Sequence, residues 1–262
     1  MLVSKLSLMV AWNLQESTLK DVKESRFEVA VLPVGSTEPH GLHLPYGMDF
    51  YQAKAVANMA CEKALETGAK VVMLPGIPYG SNRNSLGFPM TINLDQSTLN
   101  MVVRDIVESL EHHGVMKLVI LNGHGGNDFT PLMRDLYGRA RGFIVTVDWW
   151  RTVDDVRSRI IEEPGEHGDE FETSVGLALF PHLVHMWEAD EGAVNTPRVE
   201  PLAYSWARFT RPWHVLTRNS GFGNPLKSSR EKGEKILEAA VERIAILLKE
   251  LSDAEMAEGF PY

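Results

Sequence analysis

The sequence predicts an α/β fold: one domain over residues 1–262, three layers deep in the order α/β/α, around a mainly parallel sheet. Three observations carry this. Short runs rich in β-branched and aliphatic residues recur along the first half of the chain, segments of helical periodicity separate them, and a glycine closes each of those segments.

The runs are Phe27 to Val34, Lys70 to Leu74, Lys117 to Leu121 and Phe143 to Val147. Each is apolar without alternation, the pattern of a strand covered on both faces. The intervening helices are expected over Tyr51 to Thr67, Gln96 to His113 and Phe129 to Arg141, each closed by a glycine cap at Gly68, Gly114 or Gly142. Strand, helix, strand in this order requires crossovers and hence parallel pairing. A further helix is expected from about Glu172, and a last one over Ser229 to Leu251, where Ile236, Ala240, Ile244 and Leu247 share a face. Between them, Asn195 to Lys227 holds four prolines, two tryptophans and little periodicity, which predicts a long functional or interface loop.

Composition narrows the function. The 262 residues include 44% hydrophobic and 23% charged side chains, and the net charge of −9 provides no basic footprint for nucleic acid or an anionic membrane. A small-molecule partner is expected instead. Cys61 is the sole cysteine, so no intrachain disulfide forms and no oxidising compartment is needed. No apolar run approaches the roughly 20 residues of a membrane span. The N-terminal stretch MLVSKLSLMVAWNLQES lacks a cleavage site and reads as mature protein, which makes a cytoplasmic location the expectation.

In an open parallel sheet ligands gather outside the carboxyl ends of the strands, and the polar residues of this chain collect there. The first strand is followed by GSTEPHGLHLPYGMD, the third by NGHGGN, and the fourth by Asp148, Trp149 and Trp150. Glu38 and His40, two apart in an extended segment, would project from one face and suit a pair of metal ligands. Asp49 stands where a helix begins, able to cap it or to bridge two cations. His124 lies in a glycine-rich turn that lets backbone and ions approach closely. Carboxylate and imidazole together suit zinc, manganese or ferrous iron. The plainer readings are an N-cap for Asp49, a hydrogen-bonded loop histidine, and an anion-binding nest for NGHGGN, though no lysine follows as in a P-loop. The joint occurrence favours a metal site.

A further cluster, EHGDEFETS, places Glu166, His167, Asp169, Glu170 and Glu172 within seven residues. An acidic helix N-terminus explains the carboxylates but not the histidine. The segment can return over the same sheet edge and bring His167 and one glutamate to the metals. His112 and His113 close a helix, and His182 and His185 read as surface or packing residues. Ser81, Asn82, Arg83 and Asn84 follow the second strand and face the same mouth as substrate contacts.

These residues resemble the creatininase (creatinine amidohydrolase) family. The matching blocks are PVGSTEPHGLHLPYGMD, LGFPMTINLD, VILNGHGGN, EHGDEFETS and, more loosely, SGFGNPLKSSREKG, in the family's order from Pro33 to Gly233. The resemblance implies metal ligands at Glu38, His40, Asp49 and His124, with Asp49 bridging two divalent ions, zinc with manganese or iron. It implies proton transfer by His167 and a homohexamer. Members open the creatinine ring, deformylate a pyrimidine formamide, or trim a peptide precursor.

The chain departs from that pattern in places. Pro39, Leu42 and Met48 replace the usual glutamine, proline and threonine, Ser85 stands where many members carry histidine, and Met90 replaces a glycine. Gly125 and Gly126 occupy positions where creatininase proper has a tyrosine and a glutamate, which should widen the pocket, so the fifth ligand must come from elsewhere; Glu172 is the candidate. The expectation is a small-molecule amidohydrolase that attacks a cyclic amide or formamide with a metal-bridging hydroxide. His167 would shuttle the proton, Glu166 or Asp169 would orient its imidazole, and Ser81, Gly125, Trp149 and Trp150 would contact substrate. The rival readings are a true creatinine amidohydrolase and a catalytically silent metal-binding oligomer.

Overall fold

A computed structural model describes residues 12–204 and 206–262. Residues 1–11 of the N-terminal run read as mature protein lie outside the described residues. Four strands, β1 (Val29–Val34), β2 (Val71–Met73), β3 (Lys117–Asn122) and β4 (Phe143–Asp148), form one sheet in the order β2-β1-β3-β4. Every pairing is parallel. The helices are α1 (Leu19–Lys23), α2 (Met48–Glu66), α3 (Gln96–His112), α4 (Thr130–Leu136), α5 (Asp154–Ile160), α6 (Glu170–Leu179), α7 (Trp213–Leu216) and α8 (Arg230–Asp253). Among the described residues no helix is long and apolar enough to cross a membrane.

The two faces of the sheet carry separate cores, as the period-2 geometry of strands requires. Val29, Val31, Val71, Met73, Val119 and Leu121 pack with α2, α6 and α8 on one side. Ala30, Leu32, Val72, Leu118 and Ile120 pack with Leu99, Val103 and Val107 of α3 and with Leu132 of α4 on the other. The chain therefore leaves β1 for one face through α2 and reaches β3 from the other face through α3. The crevice opened by that reversal lies between the carboxyl ends of β1 and β3, where Val34 and Asn122 are in register.

Two expectations need correction. The strand over Phe143–Asp148 is half-buried at each position instead of covered on both faces. It is an edge strand, as β2 is, and pairs on one side only, with β3. The helix expected to run to Arg141 stops at Leu136: Tyr137 leaves the helical region with ψ 124°, and Gly138 turns the chain at φ +72°. Helices α1 and α5 lie in stretches whose periodicity is too short to read.

The last helix starts where its sequence signal places it, with the Ser229 hydroxyl accepting from Lys232 N. Near the other end of α8, the buried Lys117 ammonium donates to Leu251 O at 2.7 Å, so a cation meets carbonyls that no helical turn can satisfy.

The connection from β1 to α2 is fastened to α6 by His43, whose Nε2 is hydrogen-bonded to the Thr173 hydroxyl at 2.8 Å. Burial, and secondarily the charge on His40, push His43 down to about 4 from its ordinary 6.5. The unfolded chain therefore binds a proton that the folded chain refuses. This contribution to stability is complete above pH 6.5 and is lost as pH falls toward about 4. Melting temperatures of the protein and of His43→Gln, measured across that window, should show the wild type falling more steeply with acid. Parallel slopes would contradict the assignment.

Candidate metal centre

Asp49 sits in the first turn of α2, directly below the crevice, where the helix dipole favours a carboxylate. Its two oxygens face different partners. Oδ1 lies 2.9 Å from His40 Nε2 and Oδ2 lies 3.0 Å from His124 Nδ1. Glu38 Oε1 stands 2.9 Å from the same His124 nitrogen, and Glu172 Oε1 stands 3.9 Å from His40 Nε2. Two triads result, Glu38 with Asp49 and His124, and His40 with Asp49 and Glu172, each with ligand atoms within 4.8 Å of one another. Glu38 and His40, close in sequence, thus fall on opposite sides of Asp49, and a third group of ligand atoms within the same distance joins them both to His167.

Each imidazole is oriented from behind. His40 Nδ1 donates to Glu38 O at 3.0 Å, and His124 Nε2 donates to Ser81 O at 3.2 Å, so the opposite nitrogen of each ring faces the carboxylates. A backbone carbonyl behind the ring is the arrangement that fixes the tautomer of a metal-ligating histidine. Glu38 and Asp49 are buried and Glu172 is half-buried, and Asp49 Oδ2 meets His124 as a close ion pair without hydrogen-bond geometry. Burial alone would drive protons onto these acids. The imidazoles beside them supply compensating charge. Burial opposes the charge on His40, but Asp49 and Glu172 raise it to about 10, and Glu38 and Asp49 likewise hold His124 well above 6.5. Glu38 is held below the ordinary range because His124 outweighs its burial penalty. A constellation that needs positive charge at two points, with one carboxylate shared between them, fits a pair of divalent ions.

Glu172 carries two duties. As N3 of α6 it accepts from Gly168 N through Oε2, a helix-capping contact, and its other oxygen faces His40. Asp169 caps the same helix, accepting from Glu172 N at 3.0 Å, and its second oxygen takes Arg157 Nη2 at 3.0 Å.

His167 is clamped by a backbone bridge to Phe222 and stacks on His40 with centroids 4.0 Å apart, while Trp213 meets it edge-on at 5.4 Å. Its Nε2 donates to Pro39 O at 2.9 Å, leaving Nδ1 as the nitrogen with a lone pair. That carbonyl, and neither Glu166 nor Asp169, orients the ring. Glu166 turns away to accept from Arg211 Nη2 at 2.7 Å, because it lies on the exposed side of the same turn.

The site opens into a cavity of about 810 Å³. Its wall places the substrate-contact candidates unevenly. Gly125 borders it, and a Cβ there would meet nothing within 4 Å, so the wall is open at this point. At Gly126 the reason for glycine differs: a Cβ would stand 2.4 Å from His124 Nε2 and 2.5 Å from Ser81 O. The hydrogen bond that orients His124 thus excludes any side chain at Gly126. Ser81 does not line the cavity; its carbonyl serves His124, and Asn84 and Ser85 of the same loop reach the wall. Both tryptophans border the cavity, Trp149 from the core, where it is only 1% exposed and stacks on Phe171, and Trp150 with the larger exposed surface.

Sequence reading missed other wall residues. Gln52, one turn beyond Asp49, lines the cavity and leaves Nε2 without a partner; a lone glutamine facing the crevice from an otherwise apolar helix stretch is the signal that would have found it. Asn122 and Asn127 brace the turn around His124. Asn122 donates to His124 O and to Asp148 Oδ1, both at 2.9 Å, while Asn127 accepts from Ser81 N at 3.0 Å. The asparagines that bound NGHGGN are thus structural parts of the site.

Comparison with known proteins agrees with this geometry. The sequence model of the creatininase family, described as creatinine amidohydrolase, matches residues 15–248. The creatinine amidohydrolase of Pseudomonas putida is 34% identical over 243 residues, covering 85% of this chain and 89% of the relative. The 3-dehydro-scyllo-inosose hydrolase of Thermotoga maritima is 27% identical over 273 residues, covering 94% of this chain and 86% of its own length. Among solved structures, a Bacteroides fragilis protein named as a candidate creatinine amidohydrolase superposes with a TM-score of 0.89 at 34% identity, over 96% of this chain and 100% of that one. A creatininase variant described as the Zn-Zn type superposes at 0.77 with 28% identity, over 93% and 99%.

Proposed function

This chain belongs to the creatininase family of amidohydrolases, and from that premise we propose that it hydrolyses a non-peptide carbon–nitrogen bond, in a cyclic amide or formamide, with two divalent ions per subunit. The observation that carries the proposal is the pair of triads sharing Asp49. Glu38 and His124 would hold one ion, His40 and Glu172 the other, and Asp49 both. The carboxylate and imidazole donors suit zinc, manganese or ferrous iron. When bound, such ions lower the pKa of a water from 15.7 to about 7 and polarise the carbonyl under attack.

The chain's own groups supply the remainder. Pro39 O accepts a hydrogen bond from the Nε2–H of His167, so Nδ1 is free to accept a proton from the attacking water and return it to the leaving nitrogen. The His40 stack and the Trp213 edge keep that ring from rotating away. Gly125 leaves one side of the cavity open to a substrate larger than creatinine. A catalytically silent scaffold would need neither the clamped His167 nor the full ligand set. By family resemblance the active form is a homo-oligomer, a hexamer, and the exposed Trp187 and Trp206 are surface that contact between copies would cover.

His167→Ala should lower turnover roughly 100-fold or more while leaving the metal content unchanged, as loss of a general acid or base does. Since His167 also lies within ligand distance of Glu38 and His40, parallel loss of metal would make it a ligand instead. Creatinine should be a poor substrate or none. Steady-state assays on creatinine beside a panel of formamides and lactams check this, and a kcat/KM for creatinine on the order of 10⁴ M⁻¹s⁻¹ or above would contradict it.

A further inference from the structure

The floor of the cavity is acidic, but its rim is not. Four arginines border it: Arg151, Arg157, Arg208 and Arg211. Arg151 pairs with Asp148 at 3.3 Å, Arg157 with Asp169 at 3.0 Å, and Arg211 with Glu166 at 2.7 Å. Arg208 has no ion pair or hydrogen bond among the described residues. The acids on the wall are equally accounted for. Glu38, Asp49 and Glu172 form the triads, and Asp128 accepts from Thr130 N within its own turn. Arg208 thus faces the cavity without an ion-pair partner among the described residues.

The loop that carries it is fastened at its ends. Asn195 N donates to Leu216 O at 2.7 Å and Trp213 Nε1 donates to Ser220 O at 2.8 Å, tying the segment down on either side of the arginines. The Arg211 guanidinium lies 5.0 Å over the Trp213 ring and gives Glu166 one Nη2 contact, which leaves further N–H donors of its fork for another acceptor. The same loop exposes Trp206 and Phe209 away from the cavity wall. Arg208, Arg211 and Trp213 of this loop line the cavity, whereas Trp206 and Phe209 do not.

We propose that Arg208 and Arg211 form an anion subsite, so that the substrate is an amide bearing a carboxylate or a phosphate ester away from the scissile bond. This rests on the amidohydrolase reading above and specifies its substrate class. A cavity of about 810 Å³ lies toward the upper end of the roughly 300–1,000 Å³ typical of sites for drug-sized ligands, with room for such a substituent. Planar guanidinium forks recognise both anions through paired N–H donors.

The test is calorimetric binding to the metal-loaded protein. N-formylglycine should bind roughly 10- to 100-fold more tightly than its uncharged counterpart N-formylglycinamide, the advantage expected of charge-assisted hydrogen bonds. Arg208→Gln breaks no contact among the described residues and should bring that ratio close to one; Arg211→Gln should reduce it as well. A carboxylate that merely binds the metal ions would keep its advantage in both variants, and that result, or a ratio near one in the wild type, overturns the subsite. Inorganic phosphate that competes with N-formylglycine and weakens in the same variants extends the subsite to phosphate esters. Failure to compete, with the ratio intact, restricts it to carboxylates. Charge-selective binding without hydrolysis of any formamide would retain the subsite and overturn the hydrolase reading, whereas hydrolysis without charge selectivity would do the reverse.

Discussion

The structure turns on the placement of one carboxylate. Asp49 is buried where α2 begins, and each of its oxygens stands about a hydrogen-bond length from a different imidazole. A buried carboxylate in apolar surroundings is costly unless positive charge meets it. Here the helix N-terminus supplies part of that charge, and the histidines or bound cations supply the rest. The connection from β1 must therefore return to the crevice, which fixes Glu38 and His40 on either side of the aspartate. The turn after β3 must bring His124 within reach, which is why it can bear no side chain at Gly126. Helix α6 must end against the same point, with Glu172 reaching back from its first turn.

Much of this was legible in the sequence because the signals are local. The four strands, the helices over Met48–Glu66 and Gln96–His112, and the polar clusters at strand ends follow from periodicity and from the rule that parallel sheets gather ligands at their carboxyl ends. What was not legible depends on tertiary contacts. Glu166 and His167 are adjacent in sequence, yet Glu166 turns out to Arg211 while His167 turns in to Pro39 O, and no spacing distinguishes them. Trp149 and Trp150 are likewise neighbours on the cavity wall, yet Trp149 is buried against Phe171 and Trp150 is half-buried. The short α4 ended early because Tyr137 and Gly138 override a periodicity that continues past them.

The carbonyls behind the imidazoles connect fold to chemistry. Glu38 O, Ser81 O and Pro39 O each accept one ring N–H, and each belongs to a loop held by the sheet and its crossovers. Orientation thus comes from backbone that the cores already make rigid, and the side chains are left free to face the reaction. Around this acidic floor the arginine rim adds a second electrostatic layer, with three guanidiniums paired in place and Arg208 unpaired among the described residues.

The shared aspartate is the central claim, and metal analysis tests it most directly. Purified protein loaded with zinc or manganese should hold close to two equivalents per chain, and Asp49→Asn should lose both, because each triad loses a charged oxygen at once. A variant that retains its full metal content would show that Asp49 bridges nothing.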